Sequence, residues 1–125
     1  MQDAPDPPEL LNVVSRFLRE EVTSASSART AFMARVAANA VDLARRQIEL
    51  QPGFDSKEHA RLAALLKREG TLEELNRALC DGIEGGTVTA GTAGLSGHLW
   101  AATLEKLAVD QPSYAAYVKR MQSRG

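Results

Sequence analysis

The sequence has few of the residues that hold small proteins together through covalent bonds or metal ions. It contains one cysteine, Cys80, and two histidines, His59 and His98, among 125 residues. A single cysteine excludes an intramolecular disulfide and leaves a cysteine-based zinc site without partners. The histidines show neither an HxxxH nor an HExxH spacing, and we interpret both as surface or rim residues. We therefore expect no metal site and no cofactor, and we assign no catalytic residue.

Long apolar runs and an excess of positive charge are also absent. Charged residues interrupt the strongly apolar stretches within about ten residues, whereas a helix that spans a bilayer needs about 20. Lysine and arginine number 15, against 16 aspartate and glutamate residues. The first eight residues, MQDAPDPP, are acidic and rich in proline, unlike a signal peptide. These features predict a cytoplasmic protein that binds neither nucleic acid nor a membrane.

Aromatic residues make up only 5% of the chain, and no alternating apolar pattern of strand length is present. Alanine and leucine, which both favour helix, occur 20 and 15 times. The chain length predicts a single domain over residues 1–125. We expect an all-α fold, an up-and-down bundle of five or six helices, with a flexible N-terminus at 1–6 and a mobile Gly/Thr-rich connector at 85–97.

The helix boundaries follow from capping residues and helix breakers. Asp6 is predicted to cap the first helix, and Thr71 the fourth, where Glu74 completes a capping box. Gln51-Pro52-Gly53 is predicted to end the second helix, and Ser96 to cap the fifth. The expected helices span residues 7–22, 27–50, 56–68, 72–84, 96–109 and 113–122.

The connector at 85–97 does not match the motifs that its glycines suggest. Gly86 and Gly91 have the spacing of a P-loop, but no lysine follows the second glycine. A Rossmann loop would need a preceding strand, and a helix is expected there. The serine at 96 lies outside a GxSxG nucleophile elbow.

Two pairs of polar residues are candidate binding residues for a ligand or a partner. Asn39 lies on or beside the apolar stripe of the second helix, and Arg35 precedes it by four residues. A buried Asn39 would need hydrogen-bond partners, either a neighbouring helix or a ligand or partner bound between helices. Lys106 and Asp110 are also four residues apart, near the end of a helix. They fit either a helix-stabilising pair or a contact with a partner.

Other side chains have simpler interpretations. Trp100 and Phe54 are core or interface anchors, and the basic residues Lys119, Arg120 and Arg124 form a small solvated tail.

Several segments together resemble one known family. They are RVAAN at 35–39, LEELN at 72–76, KLAVDQP at 106–112 with Tyr114, and ELL with FLREEV near the start. The pattern is similar to a bacterial domain-of-unknown-function family of small all-helical proteins, over about residues 2–117. Its members lie beside, or are fused to, aminoglycoside-phosphotransferase-like proteins, often near acyl-CoA dehydrogenases. The resemblance implies an accessory role in acyl or CoA metabolism and no defined activity. Gln111, where the family has Asn, and the composition of 85–97 depart from it.

Three functions follow from these features. The first, which we predict, is a non-catalytic helical interaction module that forms a homodimer or binds a metabolic enzyme. An exposed apolar stripe on the first or second helix would support it. The second is a regulatory domain that binds a small molecule in a pocket between helices, lined by Arg35 and Asn39. The third is an enzyme, which would need His98, His59 or paired carboxylates to converge in one cleft.

Overall fold

The computed structural model describes residues 4–125, of which 78% are helical. No strand occurs within this range. The predicted all-α fold with five or six helices is confirmed, since five helices are present. The predicted flexible N-terminus lies partly outside the described residues. The first helix, α1, consists of α-helical Pro7–Phe17, π-helical Leu18–Val22 and an α-helical turn Thr23–Ala25; the others are α2 (Ala28–Leu66), α3 (Leu72–Glu84), α4 (Leu95–Asp110) and α5 (Ala115–Gln122).

The chain divides into two compact units, one up to Gln51 and the other from Pro52 onwards. The first unit contains α1 and the first part of α2. The second contains the rest of α2 with α3, α4 and α5. No helix within residues 4–125 has both the length and the apolarity that crossing a membrane requires.

Two helix starts form as their local sequences predict. The Asp6 carboxylate accepts a hydrogen bond from the Glu9 backbone N–H at 2.9 Å, and the Glu9 carboxylate accepts one from the Asp6 N–H at 2.8 Å. Thr71 and Glu74 form the same reciprocal capping box at the start of α3. Each box satisfies two backbone donors that the helix itself leaves unpaired.

The predicted helix end at Gln51-Pro52-Gly53 is wrong, because α2 continues through this sequence to Leu66. A proline inside a helix removes one backbone hydrogen bond and costs about 3 kcal/mol, a penalty that good helix formers on both sides can offset. Ser56, at which a separate helix was expected to begin, lies inside α2. Its hydroxyl donates to the carbonyl of Pro52 at 3.0 Å. The expected second and third helices are therefore one.

The predicted cap at Ser96 is also wrong. The N-cap of α4 is Gly94, which has a left-handed φ of 89° and provides no side-chain hydrogen bond. A residue with a β-carbon would be strained in this conformation. Ser96 is therefore the second residue of the helix.

Small side chains form the interior of the first unit. The buried residues there are Ser15 on α1 and Ala31, Ala34 and Ala38 on α2. No large apolar side chain of this unit is among the buried residues. The fully buried positions of the unit are thus occupied by small side chains, while larger apolar residues such as Leu11, Leu18 and Val41 are half-buried.

Leucines form the core of the second unit. Leu62 of α2, Leu75 and Leu79 of α3, and Leu95 of α4 are buried in one cluster. Val88, from the connector between α3 and α4, packs against this cluster. The core thus holds the connector at Val88 and joins three helices.

The π-helical stretch Leu18–Val22 interrupts α1. The Thr23 backbone N–H donates to the Leu18 carbonyl, five residues back, and the Thr23 hydroxyl donates to the same oxygen at 2.9 Å. The Ser24 hydroxyl donates to the carbonyl of Glu20 at 2.7 Å. Hydroxyl donors of this kind satisfy carbonyls that the regular α-helical pattern would have bonded.

Candidate functional site

An apolar groove lies on the surface of the second unit, and we call it the Trp100 groove. Its cavity volume is about 660 Å³. Five apolar side chains and three hydroxyl side chains line it together with Ala90: Ile83, Val88, Leu95, Leu99 and Trp100, with Thr89, Ser96 and Thr103. The groove thus lies between the end of α3, the connector and the first turns of α4. Its size is within the range of small-molecule sites, about 300–1,000 Å³.

A close backbone approach holds the connector against α3. The Val88 N–H donates to the Gly82 carbonyl at 2.9 Å. A β-carbon at Gly82 would lie only 2.7 Å from Cγ2 of Val88. Glycine at this position therefore allows Val88 to reach the core and form one wall of the groove.

The connector also carries internal hydrogen bonds. The Thr89 N–H donates to the Thr92 hydroxyl at 2.9 Å, and the Thr92 N–H donates to the Thr89 carbonyl at 2.8 Å. The predicted mobility of 85–97 remains a prediction. These bonds define the conformation in which the connector lines the groove.

Trp100 is more than half exposed and has a cation over its ring. The guanidinium carbon of Arg120 lies 5.3 Å from the ring centroid, a distance at which cation–π attraction operates. Trp100 therefore does not belong to the buried core. Arg120, which the sequence suggested was merely solvated, has a defined position over the indole.

His98 is 4% exposed, so its interpretation as a surface or rim residue is wrong. Burial lowers the pKa of its imidazole and the charge of Arg61 lowers it further, while Glu58 and Glu105 oppose the shift. The Nδ1 atom of His98 has no hydrogen-bond partner. Ser96, two residues earlier, is exposed, so the two side chains have different surroundings.

Charged and polar residues surround this histidine in the second unit. Arg61 of α2 donates two hydrogen bonds to the Glu105 carboxylate of α4, at 2.6 and 2.9 Å. The Asn76 amide donates to Glu58 at 3.0 Å. Within residues 4–125, no group of three His, Cys, Asp or Glu residues is arranged to hold a metal ion. The cluster links helices and offers no evident metal site.

His59 takes part in a separate contact. Its Nε2 lies 2.7 Å from the carbonyl oxygen of Gly70, which follows the end of α2. His59 is half-buried and joins the helix to the turn that follows it.

Asn39 is part of a polar cluster between α1 and α2. Arg19 donates to the Asn39 side-chain oxygen at 2.9 Å and to the Asp42 carboxylate at 2.7 Å. Burial raises the pKa of Asp42, but hydrogen bonds from Ser15 and Arg19, together with the charges of Arg19 and Arg45, outweigh this effect and lower the pKa overall. The structural alternative for Asn39, a hydrogen bond to a neighbouring helix, matches this geometry. Sequence reasoning had missed Arg19 as the partner of Asn39, and Asp42 as the second acceptor of the same guanidinium.

Like Asn39, the other three predicted binding residues are exposed. Arg35 lies on α2 in the first unit, and its guanidinium does not bond to Asn39. Lys106 and Asp110 lie on α4 and do not form an ion pair with each other. Among the described residues, none of these three side chains makes a hydrogen bond or an ion pair.

Sequence reasoning did not identify the Trp100 groove. One available signal was the adjacent pair Leu99 and Trp100 on a helix whose apolar residues extend around much of its circumference. A second signal was the glycine at position 82, inside α3, which indicates close contact with another backbone.

Comparison with known proteins identifies one family. No curated protein and no solved structure matches the sequence. Residues 24–114 match the model of DUF6285, a domain of unknown function. The matched segment includes every residue that lines the Trp100 groove and excludes Arg120. Since the match covers nearly three quarters of the chain, the chain belongs to the DUF6285 family.

Proposed function

We propose that this chain is a non-catalytic helical interaction module that assembles with a second copy through its first unit. The observation that carries the proposal is the contrast between interior and surface of that unit. The fully buried positions of the unit hold alanines and a serine, while nine of its large apolar side chains are exposed. Exposed apolar surface of this extent is typical of interaction sites.

The exposed apolar residues of α1 form a stripe. Leu10, Val14 and Phe17 recur at four- and three-residue spacing, and Val13 lies beside them. At about 100° per residue, the buried Ser15 lies on a different face. Helix α1 therefore has one face towards α2 and a second apolar face towards solvent.

The first part of α2 has a similar division. The buried alanines share one face, and Phe32, Val36 and Leu43 recur on the opposite side. Met33 lies next to this outer stripe. Both helices of the first unit therefore present apolar surface that nothing within residues 4–125 covers.

The exposed apolar area is close to what a dimer interface buries. Nine large apolar residues of the first unit are between 37% and 61% exposed. At about 150 Å² for each fully exposed side chain, they offer about 700 Å². A stable interface buries about 800 Å² on each partner. The nine residues are Leu10, Val13, Val14, Phe17, Phe32, Met33, Val36, Leu43 and Ile48.

The charges of the first unit also favour a second copy as the partner. Residues 4–51 contain six acidic and six basic side chains, so two copies meet without net repulsion. Glu20 and Glu21 on α1, and Arg29 and Arg35 on α2, are exposed. In a pair of copies they supply opposite charges at the rim of the interface. This assigns a partner-binding role to Arg35.

We extend the proposal to a cytoplasmic accessory role in bacterial acyl or CoA metabolism, or beside a phosphotransferase-like enzyme. The support for this extension is the sequence resemblance described above. Lys106 and Asp110, which are exposed and unpaired, are the residues we assign to contact with such an enzyme. The alternative, a regulatory domain that binds a small molecule beside Arg35 and Asn39, is disfavoured because Arg19 already occupies the Asn39 oxygen.

Light scattering coupled to size exclusion tests the assembly. We expect a mass of about 27 kDa, twice the 13.5 kDa of one chain, over a range of concentrations. Phe17→Glu and Val36→Glu place a charge in each apolar stripe and should yield monomers with unchanged helical circular dichroism. Asn12→Glu, an exposed change on α1 outside the stripe, should leave the dimer intact.

A mass of 13.5 kDa at every concentration would refute the dimer. The accessory role has its own test, which is co-elution of the purified chain with a purified phosphotransferase-like protein. Loss of that co-elution in a Lys106→Ala, Asp110→Ala double variant would support the assigned contact. Unchanged co-elution would contradict it.

A further inference from the structure

We propose that the Trp100 groove binds an amphipathic monocarboxylate, with its apolar chain in the groove and its carboxylate on Arg120. This site is separate from the apolar stripes of the first unit. The proposal therefore does not depend on self-association.

The groove provides an apolar surface whose exposure to water is unfavourable. Ile83, Leu99 and Trp100 line it and are each about half exposed, at 47%, 47% and 56%. Covering these side chains with an aliphatic chain would remove apolar area from water at about 25 cal/mol per Å². The cavity of about 660 Å³ is large enough for a small amphiphile.

The groove is formed before any ligand arrives. Leu95 is buried in the leucine core, and Val88 is held on α3 through its hydrogen bond to Gly82. Two of the walls are therefore fixed by the core of the second unit. A preformed groove reduces the ordering that binding would otherwise require.

Charge selects the ligand's head group. The Arg120 guanidinium lies over the Trp100 ring, and its side chain makes no hydrogen bond among the described residues. A guanidinium with free donors is suited to bidentate bonding with a carboxylate. Residues 111–125 contain Lys119, Arg120 and Arg124 and no acidic residue. The Trp100 end of the groove therefore favours an anion over a cation.

The rim of the groove supplies further polar contacts of modest strength. The hydroxyls of Thr89 and Ser96 are exposed. The Thr103 hydroxyl already donates to the Leu99 carbonyl at 2.8 Å, which leaves its oxygen available as an acceptor. These groups orient a ligand without adding charge.

The experiment uses the full chain, and its single tryptophan reports on the groove directly. Decanoate, decanol and decyltrimethylammonium are each titrated below their micelle concentrations while Trp100 emission is followed. We expect a saturable blue shift with decanoate, weaker binding of decanol and the weakest binding of the cation. Equal affinity for decanoate and the cationic amphiphile, or no saturable change with decanoate, would overturn the proposal.

Matched variants locate the head group. Arg120→Gln should weaken decanoate binding about tenfold, which corresponds to about 1.4 kcal/mol, and should leave decanol binding unchanged. Lys119→Gln removes the same charge from the neighbouring position and should have little effect. An equal loss in both variants would show a general charge effect and refute the assigned contact. If Trp100 emission instead shifts on dilution of the protein alone, a second copy occupies the groove and the proposal fails.

Discussion

Two glycines inside helices, Gly82 and Gly53, should respond to alanine in opposite directions. In a helix interior, alanine is favoured over glycine by about 1 kcal/mol when nothing else changes. At Gly53 the added methyl group meets no atom within 4 Å. We therefore expect Gly53→Ala to stabilise the protein by about 0.5–1 kcal/mol.

At Gly82 the same methyl group meets a wall of the Trp100 groove. It would lie 2.7 Å from Val88 Cγ2 and 3.2 Å from Thr87 Oγ1. Valine is restricted about χ1, and the hydrogen bond from the Val88 N–H to Gly82 holds its backbone, so the contact is relieved only by moving the connector. Overpacking of this kind costs about 1–3 kcal/mol. After the helix-propensity gain, we expect Gly82→Ala to destabilise the protein by up to about 2 kcal/mol.

Urea unfolding, followed by circular dichroism and by Trp100 fluorescence, measures both variants. The difference between them isolates the contact with Val88, because the propensity gain is common to both. Gly82→Ala should also weaken decanoate binding by displacing one wall of the groove. If Gly82→Ala stabilises the protein as much as Gly53→Ala, the connector does not pack against α3 and our description of the groove is wrong.

Three further changes test other features of the fold. Pro52→Ala restores a backbone donor within α2 and should raise the free energy of unfolding in urea by about 1–3 kcal/mol; an unchanged value would indicate that the helix does not continue there. Thr71→Ala removes a cap and should lower that energy by about 1 kcal/mol, so a neutral effect would contradict the capping box. The pKa of His98 is lower in the folded protein than in the unfolded chain, so on acidification the unfolded chain takes up the proton first. The free energy of unfolding therefore falls as the pH drops through about 6.5. His98→Gln should flatten this part of the plot of melting temperature against pH. A slope that remains in His98→Gln and disappears in His59→Gln would show that the pH dependence comes from His59 and would refute the prediction.

The features predicted correctly from sequence are those that neighbouring residues determine. Asp6 and Thr71 form their caps with residues three positions away, so the relevant partners were visible in the sequence. The predictions at Pro52 and Ser96 are wrong because the tendency of a residue to break or to cap a helix is only a local preference. At Pro52 the helix-forming residues on both sides outweigh the helix-breaking tendency of proline. At the start of α4, Gly94 in a left-handed conformation takes the capping position.

The candidate site depends on contacts between distant residues, which is why sequence patterns did not reveal it. Arg61 and Glu105 are 44 positions apart, and the charges of both act on the buried His98. Arg120 reaches Trp100 from another helix. The helical period showed which residues share a face of one helix, but it carries no information on which faces of different helices meet.

The π-helical stretch of α1 has a consequence for insertions and deletions. A π-helical turn contains one residue more than the α-helical turn it replaces. Loss of one residue between Leu18 and Val22 would thus convert the stretch into regular α-helix, with the residues on either side keeping their orientation. A deletion elsewhere in α1 would rotate all later residues of the helix by about 100°. Chain length can therefore vary at this place in α1 without moving the Leu10–Phe17 stripe away from its outward face.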